Sequence, residues 1–266
     1  MTSVDLAARL RQLEGHLAGG RPDAALSLVS CLIRDGAAGP DVFDRFRHAF
    51  KAACGRDVPH AQIFDFIYAC DAWEGGSGAG SLPQSTVEYR HFLQTFMARK
   101  HVRSVVDIGC GDWQSSRLID WSAIDYLGID VSSVVLRGTM QYARPGIRFF
   151  EGDAREMELP AADLLLVKDV LQHWSNADVH AIIPKFRHYR YCLITNGATA
   201  QVRALVNVDL PAGSYRPVDL SRAPFSVPGT FVLDYEVPYS TRADGAVCSA
   251  MRTFLVDRND LVRSGR

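Results

Sequence analysis

A strand followed by a glycine turn is encoded by residues 103–113, which read Arg-Ser-Val-Val-Asp-Ile-Gly-Cys-Gly-Asp-Trp. The β-branched residues in its first half are typical of a buried strand. Gly109 and Gly111 allow a sharp turn and let a ligand approach the backbone closely. We expect a helix over residues 113–121, so the stretch predicts a strand, a glycine turn and a helix N-terminus at a nucleotide-type ligand site.

The turn lacks the third glycine of a dinucleotide fingerprint, because Gln114 occupies the sixth position of the Gly-x-Gly-x-x-Gly pattern. Asp107 and Asp112 flank the turn, and two carboxylates repel a pyrophosphate but suit a cation. S-adenosylmethionine carries a sulfonium and an ammonium and no phosphate. Asp130 follows Gly111 by 19 residues and closes the next apolar run, where an acid can accept hydrogen bonds from both ribose hydroxyls. The residues therefore favour S-adenosylmethionine over NAD or FAD.

These motifs resemble those of the class I S-adenosylmethionine-dependent methyltransferases over residues 87–257. Within that superfamily, the runs GCGDWQSSRLIDWS and YLGIDVSS are similar to a bacterial subgroup that acts on small molecules. The resemblance implies S-adenosylmethionine as the cofactor and an acid after the third strand that contacts adenine. The candidate cofactor-binding residues are Tyr89, Arg90, Asp107, Gly109, Cys110, Gly111, Trp113, Asp130, Val131, Asp153, Ala154 and Lys168.

Length and composition bound the protein class. The 266 residues suffice for one large domain or for a domain with an added segment. A net charge of −1 gives no support to a nucleic-acid partner. The six cysteines form no C-x-x-C pair, so we expect free thiols and no metal. Without a long apolar run or a signal peptide, the sequence predicts a cytoplasmic protein with no membrane span.

Three segments are predicted along the chain. Residues 1–74 carry apolar side chains at helical spacing and form a helical N-terminal cap, for which a structural role, a homodimerisation surface and a lid over the substrate stay open. Residues 75–100 contain a glycine- and serine-rich loop and a leading helix that a capping box at 85–88 opens. Residues 101–266 alternate strands and helices. They predict an α/β, Rossmann-like, mostly parallel seven-stranded sheet whose last strand is antiparallel.

The catalytic candidates follow the fourth predicted strand, where residues 168–174 read Lys-Asp-Val-Leu-Gln-His-Trp. The segment lacks the Asn/Asp-Pro-Pro-aromatic turn of methyltransferases that act on nucleic-acid bases. It resembles a His-Asp-Trp-Ser pattern of plant O-methyltransferases, but an ungapped match puts Gln172 at the base position and His173 one residue later. We assign His173 as the candidate base, since imidazole can take a proton near pH 7, and Asp169 as the second catalytic candidate. Catalysis by alignment alone is the alternative.

The irregular segment 196–228 is too long for a plain connection, so we interpret it as the substrate-side loop. Arg216 would suit an anionic substrate group. The candidate substrate contacts are Gln172, Trp174, Asn196, Tyr215 and Arg216. The predicted function is methyl transfer from S-adenosylmethionine to an oxygen or nitrogen of a small molecule, in secondary metabolism. The alternatives are a protein or RNA methyltransferase and a non-catalytic regulatory protein that binds the cofactor.

Overall fold

The computed structural model describes residues 3–35, 37, 40–198, 206–237 and 250–263. The chain forms two compact units, Met1–Gly76 and Ser77–Arg266. Among the described helices, none is long and apolar enough to cross a membrane.

The first unit is built from helices in its described part. They are α1 (Ser3–Ala18), α2 (Pro22–Arg34), α3 (Pro40–Cys54) and α4 (His60–Ala69). Apolar side chains recur on one face of each helix and meet in a core that includes the buried Leu13, Val29, Leu32, Phe46 and Ile67. At the end of the unit, the Asp71 carboxylate accepts hydrogen bonds from the Gly75 and Gly76 amides, which orders the glycine-rich turn.

The second unit is organised around a seven-stranded sheet in the order β3-β2-β1-β4-β5-β7-β6. The strands are β1 (Ser104–Ile108), β2 (Asp125–Asp130), β3 (Ile147–Glu151), β4 (Leu164–Lys168), β5 (Tyr191–Gly197), β6 (Thr230–Glu236) and β7 (Ala250–Asp257). Neighbours among β1 to β5 pair in parallel, and β7 is antiparallel to both β5 and β6. The predicted α/β fold with an antiparallel last strand is confirmed.

The helices of the second unit cover a sheet whose central strands are buried on both faces. They are α5 (Val87–Lys100), α6 (Ser133–Thr139), α7 (Asn176–Ile182) and α8 (Arg258–Arg263). Short 3₁₀ turns lie at Ala79–Ser81, Gln84–Thr86, Ser116–Leu118, Met140–Tyr142, Leu171–His173 and Ile183–His188. The proposed link between the last two strands, residues 240–245, lies outside the described residues.

Two local predictions are wrong. Residues 113–121 form no α-helix, because Trp113 adopts a φ of 59° and the Asp112 side chain accepts the Gln114 amide at 3.2 Å, which offers the backbone a turn instead. The capping box is absent as well, because α5 begins after Thr86 rather than Ser85, and the Thr86 hydroxyl donates to the Leu82 carbonyl at 3.0 Å and accepts no amide of the first helical turn.

An aromatic cluster lies beneath the glycine turn. The Trp113 indole is only 2% exposed, and its ring centroid lies 5.6 Å from Tyr126, 5.5 Å from Tyr142 and 5.2 Å from Phe149. Aromatic pairs at such distances stabilise a core beyond the effect of burial alone. The cluster therefore anchors the segment that follows the turn onto β2 and β3.

Trp113→Ala should lower the free energy of unfolding of the second unit by about 3–5 kcal/mol, because it leaves a large cavity in this cluster. Urea denaturation followed by circular dichroism measures the change. Phe150→Ala is the matched control, since this ring is 52% exposed on β3, and it should cost about 1 kcal/mol or less. Equal losses in the two variants would show that Trp113 does not anchor the turn.

Candidate active site

The glycine turn joins the carboxyl ends of β1 and β2. The Gly109 amide donates to the Ile129 carbonyl at 2.7 Å, and the Gly111 amide donates to Asp130 Oδ2 at 3.0 Å. Gly109 and Gly111 have φ values of 69° and 56°, in the left-handed region that favours glycine. A Cβ on Gly109 would also overlap the side chain of Val170. Position 109 therefore requires glycine for both conformation and space.

The Asp130 carboxylate is held rigidly at the end of β2. Its Oδ2 accepts from Gly111, and its Oδ1 accepts from the Ser132 amide at 2.9 Å. Each carboxylate oxygen can accept a further hydrogen bond. Both carboxylate oxygens of Asp130 bind backbone amides at the start of the next segment or in the glycine turn, and the half-buried Val131 follows Asp130 directly.

Asp107 is a buried acid on β1 beside the turn. The Tyr126 hydroxyl donates to its Oδ2 at 2.6 Å. Burial raises the pKa of Asp107 to about 7, an effect that the Tyr126 hydrogen bond and the charge of Lys168 oppose and the charge of Asp130 reinforces. The two carboxyls give the turn a negative potential that a bound cation relieves.

A cleft of about 350 Å³, solvent at its mouth included, lies beside the turn. The predicted cofactor residues that line the cleft are Asp107, Gly109, Cys110, Trp113 and Lys168. Burial raises the pKa of the Cys110 thiol well above its ordinary value, so Cys110 serves as a small wall residue and not as a nucleophile.

One wall of the cleft comes from the loop that precedes α5. The Ser77 amide donates to Asp112 Oδ2 and the Asp112 amide donates to Ser77 Oγ, both at 3.1 Å. Lys168 Nζ donates to the Gly80 carbonyl at 2.8 Å. Sequence reasoning missed Ser77 and Ser81 as cleft residues, because a glycine- and serine-rich loop carries no local signal of where it packs.

A polar network follows the end of β4. Lys168 Nζ pairs with Asp169 Oδ2 at 2.5 Å, and Gln172 Nε2 donates to Asp169 Oδ1 at 3.1 Å. Gln172 Oε1 accepts the Gly197 amide at 2.6 Å, which fixes the orientation of its side-chain amide. The structure therefore links the candidates Lys168, Asp169 and Gln172 to the backbone at the end of β5.

His173 lies at the end of this network and is 9% exposed. Its Nδ1 is 2.9 Å from the Ser214 carbonyl, which can only accept, so Nδ1 carries the proton. Its Nε2 then holds a lone pair, 3.4 Å from Gln172 Nε2. The Tyr215 ring stands 5.9 Å from the imidazole, so segment 206–228 does approach the candidate base.

Other predicted residues have protein partners of their own. Arg90 Nη2 donates to the Pro83 carbonyl at 2.9 Å, and both oxygens of Asp153 accept from Arg155, which also pairs with Asp178. The Ala154 carbonyl accepts from Lys185 at 2.6 Å. The buried Tyr89 ring lies 5.7 Å from Lys168 Nζ, and burial raises the pKa of its hydroxyl. Arg216 Nη2 donates a hydrogen bond to the Trp174 carbonyl at 2.7 Å.

A family model described as an O-methyltransferase domain matches residues 40–214, more than half of the 266-residue chain. The chain belongs to this O-methyltransferase domain family. No curated protein matches the sequence. Within the described residues, no group of three or more His, Cys, Asp or Glu side chains is placed to hold a metal ion.

Solved methyltransferases share the fold at low sequence identity. Magnesium protoporphyrin IX methyltransferase from Synechocystis PCC 6803, solved with bound S-adenosylmethionine, is 15% identical with a TM-score of 0.50, over 74% of this chain and 96% of that one. Human N-acetylserotonin methyltransferase in complex with S-adenosylmethionine is 15% identical with a TM-score of 0.46, over 92% of this chain and 66% of that one.

The protein is thus a class I S-adenosylmethionine-dependent methyltransferase, as the sequence motifs predicted, and S-adenosylmethionine is its cofactor. The cleft fits this cofactor on physical grounds. The carboxyl groups of Asp107 and Asp112 line it and suit a ligand that carries a sulfonium and an ammonium.

Gly109→Ala should weaken the affinity for S-adenosylhomocysteine at least about tenfold, because the new Cβ strains the turn and displaces Val170. Isothermal titration calorimetry measures the affinity. Gly138→Ala in α6 is the matched control, since a Cβ there meets nothing within 4 Å, and it should bind normally. Unchanged affinity in Gly109→Ala would place the ligand away from the turn.

Asp107 should make stability depend on pH. Its pKa is about 7 in the folded chain and about 3.9 in an unfolded one, so the folded chain retains a proton that the unfolded chain releases between these values. This contribution to stability is complete below about pH 4 and is lost as the pH rises through about 7.

Asp107→Asn cannot titrate, so its free energy of unfolding should fall less than that of the wild type between pH 5 and 8. Urea denaturation at fixed ionic strength across this range gives both profiles. Asp125→Asn, at an exposed carboxylate on β2, is the control and should follow the wild-type profile. Parallel profiles for Asp107→Asn and the wild type would contradict the raised pKa.

Proposed function

We propose that the protein transfers the methyl group of S-adenosylmethionine to a hydroxyl oxygen of a small molecule, with His173 as the general base. The cofactor supplies an electrophilic methyl group on a sulfonium, which leaves as a neutral thioether. A hydroxyl must lose its proton as the new C–O bond forms, whereas a neutral amine already offers a lone pair. A histidine placed to act as a base therefore supports oxygen over nitrogen as the acceptor atom.

The observation that carries this proposal is the tautomer of His173. Because Nδ1–H donates to the Ser214 carbonyl, Nε2 is the basic nitrogen. The same carbonyl stabilises the imidazolium that forms when Nε2 takes the hydroxyl proton. The hydrogen bond that Gln172 offers to Nε2 is long, at 3.4 Å, so an acceptor hydroxyl can replace it.

Gln172 acts in this proposal as a positioning residue. An amide does not accept a proton near neutral pH, so Gln172 cannot replace a histidine at the position where the plant O-methyltransferase pattern has its base. Its amide oxygen is held by Gly197, and its NH₂ group faces both Asp169 and His173. The side chain thereby fixes the imidazole relative to the end of β4.

Burial of the base supports a small acceptor. At 9% exposure, His173 cannot reach a hydroxyl on the surface of a folded protein or an RNA without a large rearrangement. The near-neutral net charge of −1 also gives no support to a nucleic-acid acceptor. We extend the proposal to a cytoplasmic metabolite of secondary metabolism, which is the substrate range that the sequence motifs resemble.

The cofactor contacts form part of the same proposal. Asp130 would accept from the ribose hydroxyls, and Asp107 would face the ammonium of the methionine end, close to Lys168. Asp169 would keep Lys168 neutralised and aligned, since the two side chains form an ion pair. In this proposal the protein accelerates the reaction mainly by aligning the reactants and removing water from them. Alignment supplies most of the rate enhancement because the sulfonium already activates the methyl group for in-line displacement.

His173→Ala should lower the turnover rate about 10²–10⁴-fold with little change in cofactor affinity, because it removes a general base and no cofactor contact. A radiolabelled methyl-transfer assay over a panel of hydroxylated small molecules, combined with calorimetry, measures both quantities. The fall in rate on the acid side of the wild-type pH–rate profile should be absent in His173→Ala, because the group whose protonation causes it has been removed.

His188→Ala, which removes an exposed histidine, is the control and should keep the wild-type rate. Gln172→Ala should slow turnover less than His173→Ala does. A wild-type rate in His173→Ala would assign catalysis to alignment alone. Cofactor binding without turnover on any acceptor would point to the non-catalytic alternative.

A further inference from the structure

Arg216 is a buried cation beside the candidate base. Its side chain is 1% exposed, and its backbone amide donates to the Gln172 carbonyl at 3.1 Å. Nη2 donates to the Trp174 carbonyl at 2.7 Å, but Nε and Nη1 have no hydrogen-bond partner in the described ranges of the chain. A buried charged donor that makes no hydrogen bond costs considerable free energy. An acceptor that binds to this guanidinium would therefore be bound favourably.

The residues that the structure describes do not supply that acceptor. In the described part of the chain, Asp209 is the carboxylate that acts on the charge of Arg216, and the two side chains form no ion pair. Asp209 is exposed, and its Oδ1 accepts the Asn176 amide at the start of α7, 2.7 Å away. Burial lowers the pKa of Arg216, but an arginine remains protonated at neutral pH.

A second buried polar atom lacks a partner next to a residue that contacts Gln172. Asn196, near the end of β5, is 4% exposed, and its Oδ1 has no hydrogen-bond partner among the described residues. The next residue, Gly197, donates its amide to Gln172 Oε1, and Arg216 donates its own amide to the Gln172 carbonyl. Buried polar atoms in native proteins are nearly always hydrogen-bonded, so two such gaps at segments that both contact Gln172 favour a ligand that fills them.

We propose that Arg216 binds an anionic oxygen group of the methyl acceptor, a carboxylate or a phosphate, and that Asn196 Oδ1 accepts a hydrogen bond from a hydroxyl or amine of the same molecule. This inference rests on the proposed function and deepens it by naming the substrate class. Arg216 recognises charge and Asn196 recognises a donor, while His173 takes the proton of the hydroxyl that is methylated. A neutral acceptor would leave the guanidinium buried without a partner.

Binding of small probes to the wild-type protein tests the inference without any methyl transfer. Benzoate, phenyl phosphate and neutral benzamide are flat probes that suit the half-buried Tyr215 ring, and calorimetry is run with S-adenosylhomocysteine present. At least one anion should bind ten times or more as tightly as benzamide, and the tighter of the two distinguishes carboxylate from phosphate recognition. Equal binding of all three probes, or no binding of either anion, would overturn the inference.

Variants then assign the binding to this side chain. Arg216→Gln should weaken anion binding at least about tenfold and leave benzamide unchanged, and Arg216→Lys, which keeps the charge, should retain an intermediate affinity. Arg222→Gln in the same segment, where the side chain is 69% exposed, is the matched control. Thermal melts establish that each variant is folded. Wild-type anion affinity in both Arg216 variants would show that the arginine is structural, and if neither variant folds the three-probe comparison decides.

The test separates this inference from the proposed function. His173→Ala should keep the preference for anions although it loses turnover, because the imidazole is not the anion-binding group. If turnover survives in His173→Ala, only the role of His173 as the base is contradicted. If anion binding does not depend on Arg216, only the proposed substrate class is contradicted.

Discussion

The hydrogen bond from the Gly111 amide to the Asp130 carboxylate joins the ends of β1 and β2. It forms only because both glycines of the turn adopt left-handed backbone angles, which bring the amide toward the acid. The buried indole of Trp113 anchors the residues that follow onto β2 and β3. One interaction thus sets the shape of the turn and the position of the carboxylate that we propose binds the cofactor.

The second half of the site depends on the end of β4, which pairs with β1 and β5. Its residues link Lys168, Asp169, Gln172 and His173 in a continuous series of polar contacts. Because these contacts start beside the cleft at the glycine turn and end at His173, we propose that the two reactants meet across neighbouring strands. Parallel strands with adjacent carboxyl ends make this arrangement possible.

The seven-stranded sheet and the cofactor could both be predicted from the sequence alone. Short apolar runs mark the central strands, and the distance from Gly111 to Asp130 follows from one strand-to-strand crossover. The helix expected over 113–121 failed because the backbone of Trp113 and the side chain of Asp112 favour a turn, which periodicity cannot reveal. The tautomer of His173 depends on Ser214, 41 residues away, and the cleft wall depends on Ser77, 35 residues from Asp112. Such contacts arise from tertiary packing, so a local pattern does not contain them.

A crystal structure of the protein with S-adenosylhomocysteine tests the central claim most directly, since the claim is that the glycine turn and Asp130 form the cofactor site. The account predicts both ribose hydroxyls within about 3 Å of the Asp130 carboxylate, with the thioether sulfur directed toward the end of β4 and His173. A ribose without contact to Asp130, or a ligand bound away from the turn between β1 and β2, would contradict it.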